Sequence, residues 1–265
     1  MKYSIITINF NNRDGLRKTI ESVVNQIYKD FEYIIIDGGS TDGSVEVIKE
    51  YADKIDYWVS EPDKGIYNAM NKGILQAHGE YLNFMNSGDC FYSENTLNEV
   101  FSYLVVDIVF GKAYIIQTGT YISPRAPMSL YNFCIYGFNH QATFYKSVLF
   151  ENYLYDEALQ LLSDWKFTVN SVVFNQCSYN CVDLLVAKYD ISGLSSRNKS
   201  LAKEEQFQIL SSILPSGIYM DYYFFSQLRS PLLEDIPFLS GRYRFHKFVV
   251  KIVRSMICVY KKFYK

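Results

Sequence analysis

The segment Phe84-Met85-Asn86-Ser87-Gly88-Asp89 decides the fold, because it joins the end of an apolar strand to a polar turn with one carboxylate. Upstream of it, apolar strand patterns alternate with patterns typical of amphipathic helices. We predict strands at residues 3–9, 31–36, 56–60 and 79–85, with helices near 16–24, 45–51 and 65–77. This alternation indicates an α/β protein with a doubly wound, mostly parallel sheet flanked by helices.

Polar residues also follow two other strands of this series, at Asn9 and Asp37. Ligands of an open parallel sheet bind beyond the carboxyl ends of its strands, so we expect a binding site at this edge. A carboxylate such as Asp89 suits a hard divalent cation shared with substrate phosphates. Mg²⁺ or Mn²⁺ needs only one or two protein carboxylates in such a site.

After Asp89 the regular alternation ends. We predict helices at 95–103 and 164–174, β structure at 107–117, 120–122, 140–145 and 182–189, and a polar loop at 192–200. Residues 201–229 have a largely helical pattern. We therefore predict one domain over residues 1–200, with halves 1–90 and 91–200, followed by a helical extension over 201–265.

Composition narrows the function classes. The chain has 265 residues, 49% of them hydrophobic, and a net charge of −2, which argues against a nucleic-acid binder. Its five cysteines are odd in number and lack zinc or redox spacing, and the first residues show no secretory segment. No uncharged apolar run reaches the length of a membrane span. The expected location is the cytoplasm.

Asp37 ends a buried strand, where its carboxylate can accept a hydrogen bond from the imide N–H of uracil or a similar base. A turn or helix-capping role is an equally typical explanation for an aspartate there. Gly38 and Gly39 let the backbone approach a ligand closely. The chain lacks a GxGxxG pattern after its first strand, which argues against a nicotinamide enzyme. It also has no GxxxxGK[ST] phosphate-binding loop.

A second cluster spans residues 63–73. Gly65 at a helix start leaves backbone N–H groups free to face an anion. Lys64 and Lys72 add positive charge, although solvated lysines on an amphipathic helix explain the same pattern.

A third cluster is Ser163-Asp164-Trp165-Lys166, at a predicted helix start. The aromatic ring of Trp165 is expected to shield the carboxylate of Asp164 from water and raise its pKa toward that of a useful base. The alternative is that Ser163 and Asp164 only cap the helix.

Taken together, these segments resemble the inverting family 2 glycosyltransferases of the GT-A fold, and most closely the enzymes of bacterial surface-polysaccharide synthesis. That subgroup carries an EPDxGIYxAMNKG segment and an LNSGD turn, and this chain has EPDKGIYNAMNKG at 61–73 and MNSGD at 85–89. The segments SIITINFN at 4–11, IDGGSTDGS at 36–44, NHQA at 139–142 and SDW at 163–165 fit in the same order.

The resemblance implies a role for each matched residue. The nucleoside and its phosphates would lie against six residues: Thr7, Asn9, Asp37, Asp63, Lys64 and Asn71. Asn86 and Asp89 stand at the metal-binding motif, for Mn²⁺ or Mg²⁺. Asp164 matches the catalytic base, and the donor sugar or acceptor would be bordered by His140, Gln141 and Trp165.

The implied reaction is metal-dependent, inverting transfer of a sugar from a nucleotide-sugar donor, by the family pattern a UDP-sugar, to a saccharide or lipid-diphosphate-linked saccharide. Residues 1–90 would be the nucleotide-binding half of the catalytic domain and 91–200 the acceptor half. The chain departs from the family at Met70, where an arginine is usual, and at Ser163, where a glutamate is usual. A sugar-nucleotide-binding or nucleotidyltransferase-like protein without transferase activity is the alternative.

The last segment, from Gly241 to the end, has eight basic residues and no acidic ones. Its apolar residues recur at helical spacing, with the basic residues on the other face. A basic amphipathic helix of this kind can lie on an anionic membrane, or it can pack on protein. We expect residues 242–265 to make a peripheral contact with the inner face of the cell membrane or a homodimer contact.

Overall fold

The computed structural model describes residues 1–190 and 198–227, together with residues 251, 254 and 255. The chain forms two compact units, residues 1–206 and residues 207–265. The predicted polar loop at 192–200 falls largely outside the described residues, and so does most of the predicted basic helix at 242–265. None of the described helices is both long and apolar enough to cross a membrane.

The first half of the sheet follows the predicted alternation of strands and helices. Four strands pair in parallel in the order β3-β2-β1-β4. They are β1 (Tyr3–Asn9), β2 (Phe31–Asp37), β3 (Tyr57–Ser60) and β4 (Tyr81–Phe84). The helices between them are α1 (Arg13–Val24), α2 (Ser44–Glu50) and α3 (Ile66–Gln76). All seven residues of β1 are buried, as expected for a central strand covered on both faces.

The second half of the sheet is mixed. Its strands are β5 (Cys90–Phe91), β6 (Ile108–Ile115), β7 (Thr120–Ile122), β8 (Thr143–Lys146) and β9 (Tyr179–Tyr189). β8 runs antiparallel to β4 and β6, whereas β6 and β9 are parallel. The helices are α4 (Thr96–Phe101), α5 (Leu130–Ile135) and α6 (Ser163–Val169), and α6 continues into a π-helical turn at Asn170–Phe174. The predicted α/β class with flanking helices is confirmed.

The extension contributes two described helices, α7 (Lys199–Ile213) and α8 (Ser216–Gln227). The prediction placed one helical region at 201–229, and a break at Leu214 and Pro215 divides it. Proline cannot donate the backbone hydrogen bond that a helix interior needs, which explains the break. The first residues of α7 belong to the first compact unit and the rest to the second.

The predicted strand at 140–145 begins later than expected. His140–Ala142 forms a 3₁₀ turn, in which the side chain of Asn139 accepts a hydrogen bond from the Ala142 N–H. β8 therefore starts at Thr143. The turn takes His140 and Gln141 out of the strand ladder, and this leaves their side chains free to line a site.

An aromatic cluster packs where β4, β8 and α6 meet. The rings of Phe150 and Phe167 stack with centroids 4.4 Å apart, and Phe84 lies 5.4 Å from Tyr155. Phe84 and Tyr145 are fully buried in it. This cluster fixes α6 against the sheet, and with it the residue Asp164.

Candidate active site

A cleft of about 640 Å³ opens beyond the carboxyl ends of β1 and β4. The residues that line it come from six segments: 8–12, 63–70, 86–89, 140–141, 160–164 and 189–190. Seven of the predicted site residues are among them, namely Asn9, Asp63, Asn86, Asp89, His140, Gln141 and Asp164. The structure thus brings the predicted metal ligands and the predicted base into one cleft.

Three other predicted site residues are buried and form hydrogen bonds with the backbone of other segments. Thr7 is fully buried and its hydroxyl donates to the Met85 carbonyl oxygen at 2.8 Å. Asn71 donates to the Tyr155 carbonyl oxygen and accepts from the Tyr155 N–H. Trp165 is buried, and its Nε1 donates to the carbonyl oxygen of Phe133, 3.1 Å away.

Lys64 lies on the surface before α3, where its backbone N–H donates to Asn68 Oδ1. The predicted ligand contacts of Thr7, Lys64, Asn71 and Trp165 stay predictions.

Asp37 lies opposite Asn9 in the register of β1 and β2 and has no exposed surface. Its Oδ1 accepts from Asn9 Nδ2 and the Ser40 hydroxyl, and its Oδ2 accepts from the Ser40 N–H and the Ser60 hydroxyl. Burial would raise the pKa of Asp37, but these donors lower it overall. Its predicted contact with a base stays a prediction, and what the structure shows is a carboxylate that fixes Asn9 at the cleft.

Asp89 follows β4 and is only 5% exposed. Its Oδ1 accepts from the Asp190 N–H at 3.0 Å and its Oδ2 from Gln141 Nε2 at 2.5 Å. Burial raises the pKa of Asp89 to about 6, although both hydrogen bonds favour the charged form. Bringing a cation close would remove this penalty.

Two buried oxygens beside Asp89, Asn86 Oδ1 and Gln141 Oε1, have no hydrogen-bond partner among the described residues. The same part of the chain contains no group of three or more His, Cys, Asp and Glu side chains that would hold a metal by itself. One carboxylate with amide oxygens suits a hard cation that takes its other ligands from phosphates and water. The residues present therefore fit Mg²⁺ or Mn²⁺ that binds together with a diphosphate.

Asp164 lies in the first turn of α6 and lines the same cleft as Asp89. Its Oδ1 accepts from the Tyr67 hydroxyl at 2.8 Å and from the Trp165 N–H at 2.9 Å, and its Oδ2 lies 3.0 Å from His140 Nδ1. Burial would raise the pKa of Asp164, but His140, Tyr67 and the Trp165 N–H together lower it. The expected net rise of the Asp164 pKa is wrong, because the hydrogen-bond donors outweigh the loss of water.

His140 connects the two sides of the cleft. Its Nδ1 faces Asp164, and its Nε2 lies 3.1 Å from Asn86 Nδ2. A ring protonated at Nδ1 donates to the carboxylate and accepts from the amide, so one side chain orients both neighbours.

Sequence reasoning missed three contributors to this site. Phe10 follows β1 and is 65% exposed at the cleft, where an aromatic face can stack on a planar ligand. Tyr67 lies within the motif at 61–73, but nothing in the sequence indicated that its hydroxyl contacts Asp164. Glu205 of α7 is buried and accepts the N–H groups of Gln160, Leu161 and Leu162, directly before α6.

The chain is similar in sequence to known proteins. Residues 4–169 match the family described as Glycosyl transferase family 2. An uncharacterized glycosyltransferase of Mycobacterium tuberculosis is 31% identical over 213 residues, covering 75% of this chain and 79% of that protein. A PGL/p-HBAD biosynthesis glycosyltransferase of Mycobacterium bovis is 28% identical over 208 residues, with 73% and 79% covered.

Solved structures share the fold. TarS of S. aureus in complex with UDP-GlcNAc aligns with a TM-score of 0.65 at 19% identity, covering 83% of this chain and 69% of that one. A mannosyltransferase of Pyrobaculum calidifontis, in complex with GDP-Man and Mn²⁺, aligns with a TM-score of 0.62 at 14% identity, with 80% and 63% covered. With the family match extending over residues 4–169, the chain belongs to glycosyl transferase family 2 and is a glycosyltransferase.

Proposed function

We propose that this glycosyltransferase moves a sugar from a nucleotide-sugar donor, a UDP-sugar, to a saccharide or lipid-linked saccharide acceptor, with inversion at the anomeric carbon. The observation that carries the proposal is the single cleft that Asp89 and Asp164 both line. TarS, whose fold this chain shares, has been solved with UDP-GlcNAc, which supports a UDP-sugar as the donor. The relative of Mycobacterium bovis is a PGL/p-HBAD biosynthesis glycosyltransferase, which supports a biosynthetic role, and the one we assign is cell-surface polysaccharide synthesis.

In the proposed reaction the acceptor hydroxyl oxygen forms a bond to the anomeric carbon while the bond from that carbon to the diphosphate breaks. Asp164 takes the hydroxyl proton. Because its pKa is lowered, this carboxylate is ionised throughout the neutral range and is ready to accept a proton. The diphosphate leaves from the opposite face, which is why the configuration inverts.

Asp89 with Asn86 would hold a Mn²⁺ or Mg²⁺ ion, and such an ion neutralises the charge of the leaving diphosphate.

Asp63, beside Gly38, and the exposed ring of Phe10 lie on the donor side of the cleft. Asn9, fixed by Asp37, also lines the cleft, and its buried Oδ1 has no hydrogen-bond partner among the described residues. These groups are suited to bind and orient a nucleoside.

The test measures release of the nucleoside diphosphate and binding of the donor in the variants Asp164→Asn and Asp89→Ala. Each variant is expected to lose about 10²- to 10⁴-fold in kcat, the usual worth of a general base or a charge-stabilising group. Donor affinity, measured calorimetrically with Mn²⁺, should survive in Asp164→Asn and fall in Asp89→Ala. Asp53→Asn, an exposed acid after α2, is the control.

Full transfer by Asp164→Asn would refute the assignment of the base. Donor binding by the native protein without any transfer or hydrolysis would favour the alternative of a binding protein.

The acceptor proposal includes contact with a lipid surface through residues 242–265. Flotation with anionic liposomes, comparing the full chain with a protein ending near Ser240, tests this contact. Equal recovery of both in the soluble fraction would contradict it, and a change of oligomeric state between the two would favour a homodimer contact instead.

A further inference from the structure

We propose that Tyr67 is a positioning residue for the transfer reaction, because its hydroxyl holds Asp164 so that the carboxylate oxygen Oδ2 receives the acceptor proton. This inference rests on the proposed function, in which Asp164 is the base.

The hydrogen bonds of Asp164 distinguish its two oxygens. Oδ1 accepts from the Tyr67 hydroxyl at 2.8 Å and from the Trp165 N–H at 2.9 Å. Oδ2 has the ring of His140 as its neighbour among the described residues, at 3.0 Å. Since a carboxylate has about four acceptor positions, two on each oxygen, the remaining capacity lies on Oδ2. An acceptor hydroxyl entering the cleft therefore meets Oδ2.

The surroundings of Tyr67 keep its hydroxyl protonated and fixed in place as a hydrogen-bond donor. It is 5% exposed, and burial next to Asp164 raises its pKa well above the usual value, so the hydroxyl keeps its proton. Its ring lies 5.6 Å from the ring of Tyr155. Gly65, the residue before α3, has φ of 122°, a conformation that favours glycine, and this turn sets the start of the helix that carries Tyr67.

A comparison with Tyr155 separates this role from ordinary core packing. Tyr155 is buried in the same aromatic cluster, yet its hydroxyl has no hydrogen-bond partner among the described residues. The cluster thus tolerates a phenol without a partner. The Tyr67 hydroxyl, in contrast, joins α3 to α6 across 97 residues of sequence and reaches the cleft.

The pH dependence provides a sharp readout. The groups that face Asp164 are Tyr67 on α3, His140 in the turn before β8, Tyr145 on β8 and Tyr155 before α6. Removing the Tyr67 hydroxyl takes away one donor that stabilises the carboxylate, so the pKa of Asp164 rises. The variant then becomes protonated at a higher pH than the native enzyme.

The experiment compares Tyr67→Phe with the matched variant Tyr155→Phe. We expect kcat of Tyr67→Phe to fall about tenfold at pH 7.5, because Asp164 is no longer held with Oδ2 toward the acceptor and this loss of orientation outweighs the gain in basicity, while donor affinity stays unchanged. The ratio of its kcat to the native value should fall further as the pH is lowered from 7.5 toward 3.8, the ordinary pKa of aspartate, because Asp164 takes up its proton at a higher pH in the variant. Taking the ratio cancels titrations common to both enzymes. Tyr155→Phe should keep the native kcat and pH profile.

Three results would overturn the proposal: a kcat for Tyr67→Phe equal to that of Tyr155→Phe, a loss explained by weaker donor binding, or a deficit independent of pH. Thermal melts of both variants establish that equal amounts of folded enzyme are compared. Asp164→Asn, measured alongside, separates the two hypotheses. If Asp164→Asn is active the proposed base is wrong, whereas an inactive Asp164→Asn with a native-like Tyr67→Phe refutes the positioning role alone.

Discussion

Replacing Asp89 by asparagine is expected to stabilise the ligand-free protein at neutral pH while removing its activity. Asp89 is 5% exposed, and burial raises its pKa from the ordinary 3.8 to about 6. A difference of this size corresponds to about 3 kcal/mol that the folded state gives up when the carboxyl group must ionise. The binding site is thus kept at a cost in stability.

The sign of the effect follows from the direction of the shift. Because the pKa is higher in the folded state, the favourable contribution of the protonated carboxyl is complete below pH 3.8 and is lost as the pH rises through about 6. Asparagine does not titrate, so the variant gains on the native protein between pH 4 and pH 7. Gln141 can turn its unpartnered Oε1 toward the new amide, which preserves a hydrogen bond.

The pKa of about 6 already includes the two hydrogen bonds to the charged form, so the remaining offset is the imperfect fit of the new amide. Allowing about 1 kcal/mol for that fit leaves a net gain of about 2 kcal/mol at pH 7. For a unit of this size the gain corresponds to roughly 4–8 °C in Tm. Thermal melts at pH 4.5, 5.5, 6.5 and 7.5 in EDTA measure it, with the exposed Asp53→Asn as control. A Tm difference independent of pH, or a less stable Asp89→Asn at pH 7, would refute the reasoning. Adding Mn²⁺ with UDP should raise the Tm of the native protein and of Asp53→Asn, but not that of Asp89→Asn.

The other predictions concern the frame around the cleft. Gly38→Ala would place a Cβ atom 2.5 Å from Asp63 Oδ2, so we expect weaker donor binding, by about tenfold for one displaced group, in a calorimetric titration; an unchanged Kd would contradict it. Phe84→Ala should lower the free energy of unfolding by about 3–5 kcal/mol in urea melts, because the ring is fully buried. Glu205→Gln should lower the free energy of unfolding by about 1–3 kcal/mol and lower kcat, because the single oxygen of an amide cannot accept from three N–H groups. Glu204→Gln, a change at the exposed neighbour, should alter neither quantity.

The parallel half of the fold could be predicted because its elements are long and periodic. The opposition of Asn9 and Asp37 follows once two parallel strands end at the same edge. β5 has two residues, too few to show a period, and the reversal at β8 depends on pairing with β4 and β6, which are far away in sequence. The mixed half of the sheet was therefore not predictable strand by strand.

The site could be predicted as a set of residue types but not as a set of contacts. Asp164 was identified by its motif, yet its pKa depends on Tyr67 and His140, which come from other segments of the chain. Sequence alone also could not decide whether Asp37 faces a ligand or pairs with its neighbours, and in the structure Ser40 and Ser60 donate to it. Such choices are made by packing between distant elements.

The contact made by Glu205 has a practical consequence for anyone shortening the chain. A protein that ends at residue 200 would keep every residue of the cleft but would lack the Glu205 carboxylate, which accepts three backbone N–H groups of the loop before α6. Such a fragment is expected to fold but to have a lower kcat than the full chain. A crystallisation or screening programme should therefore retain at least the first two turns of α7.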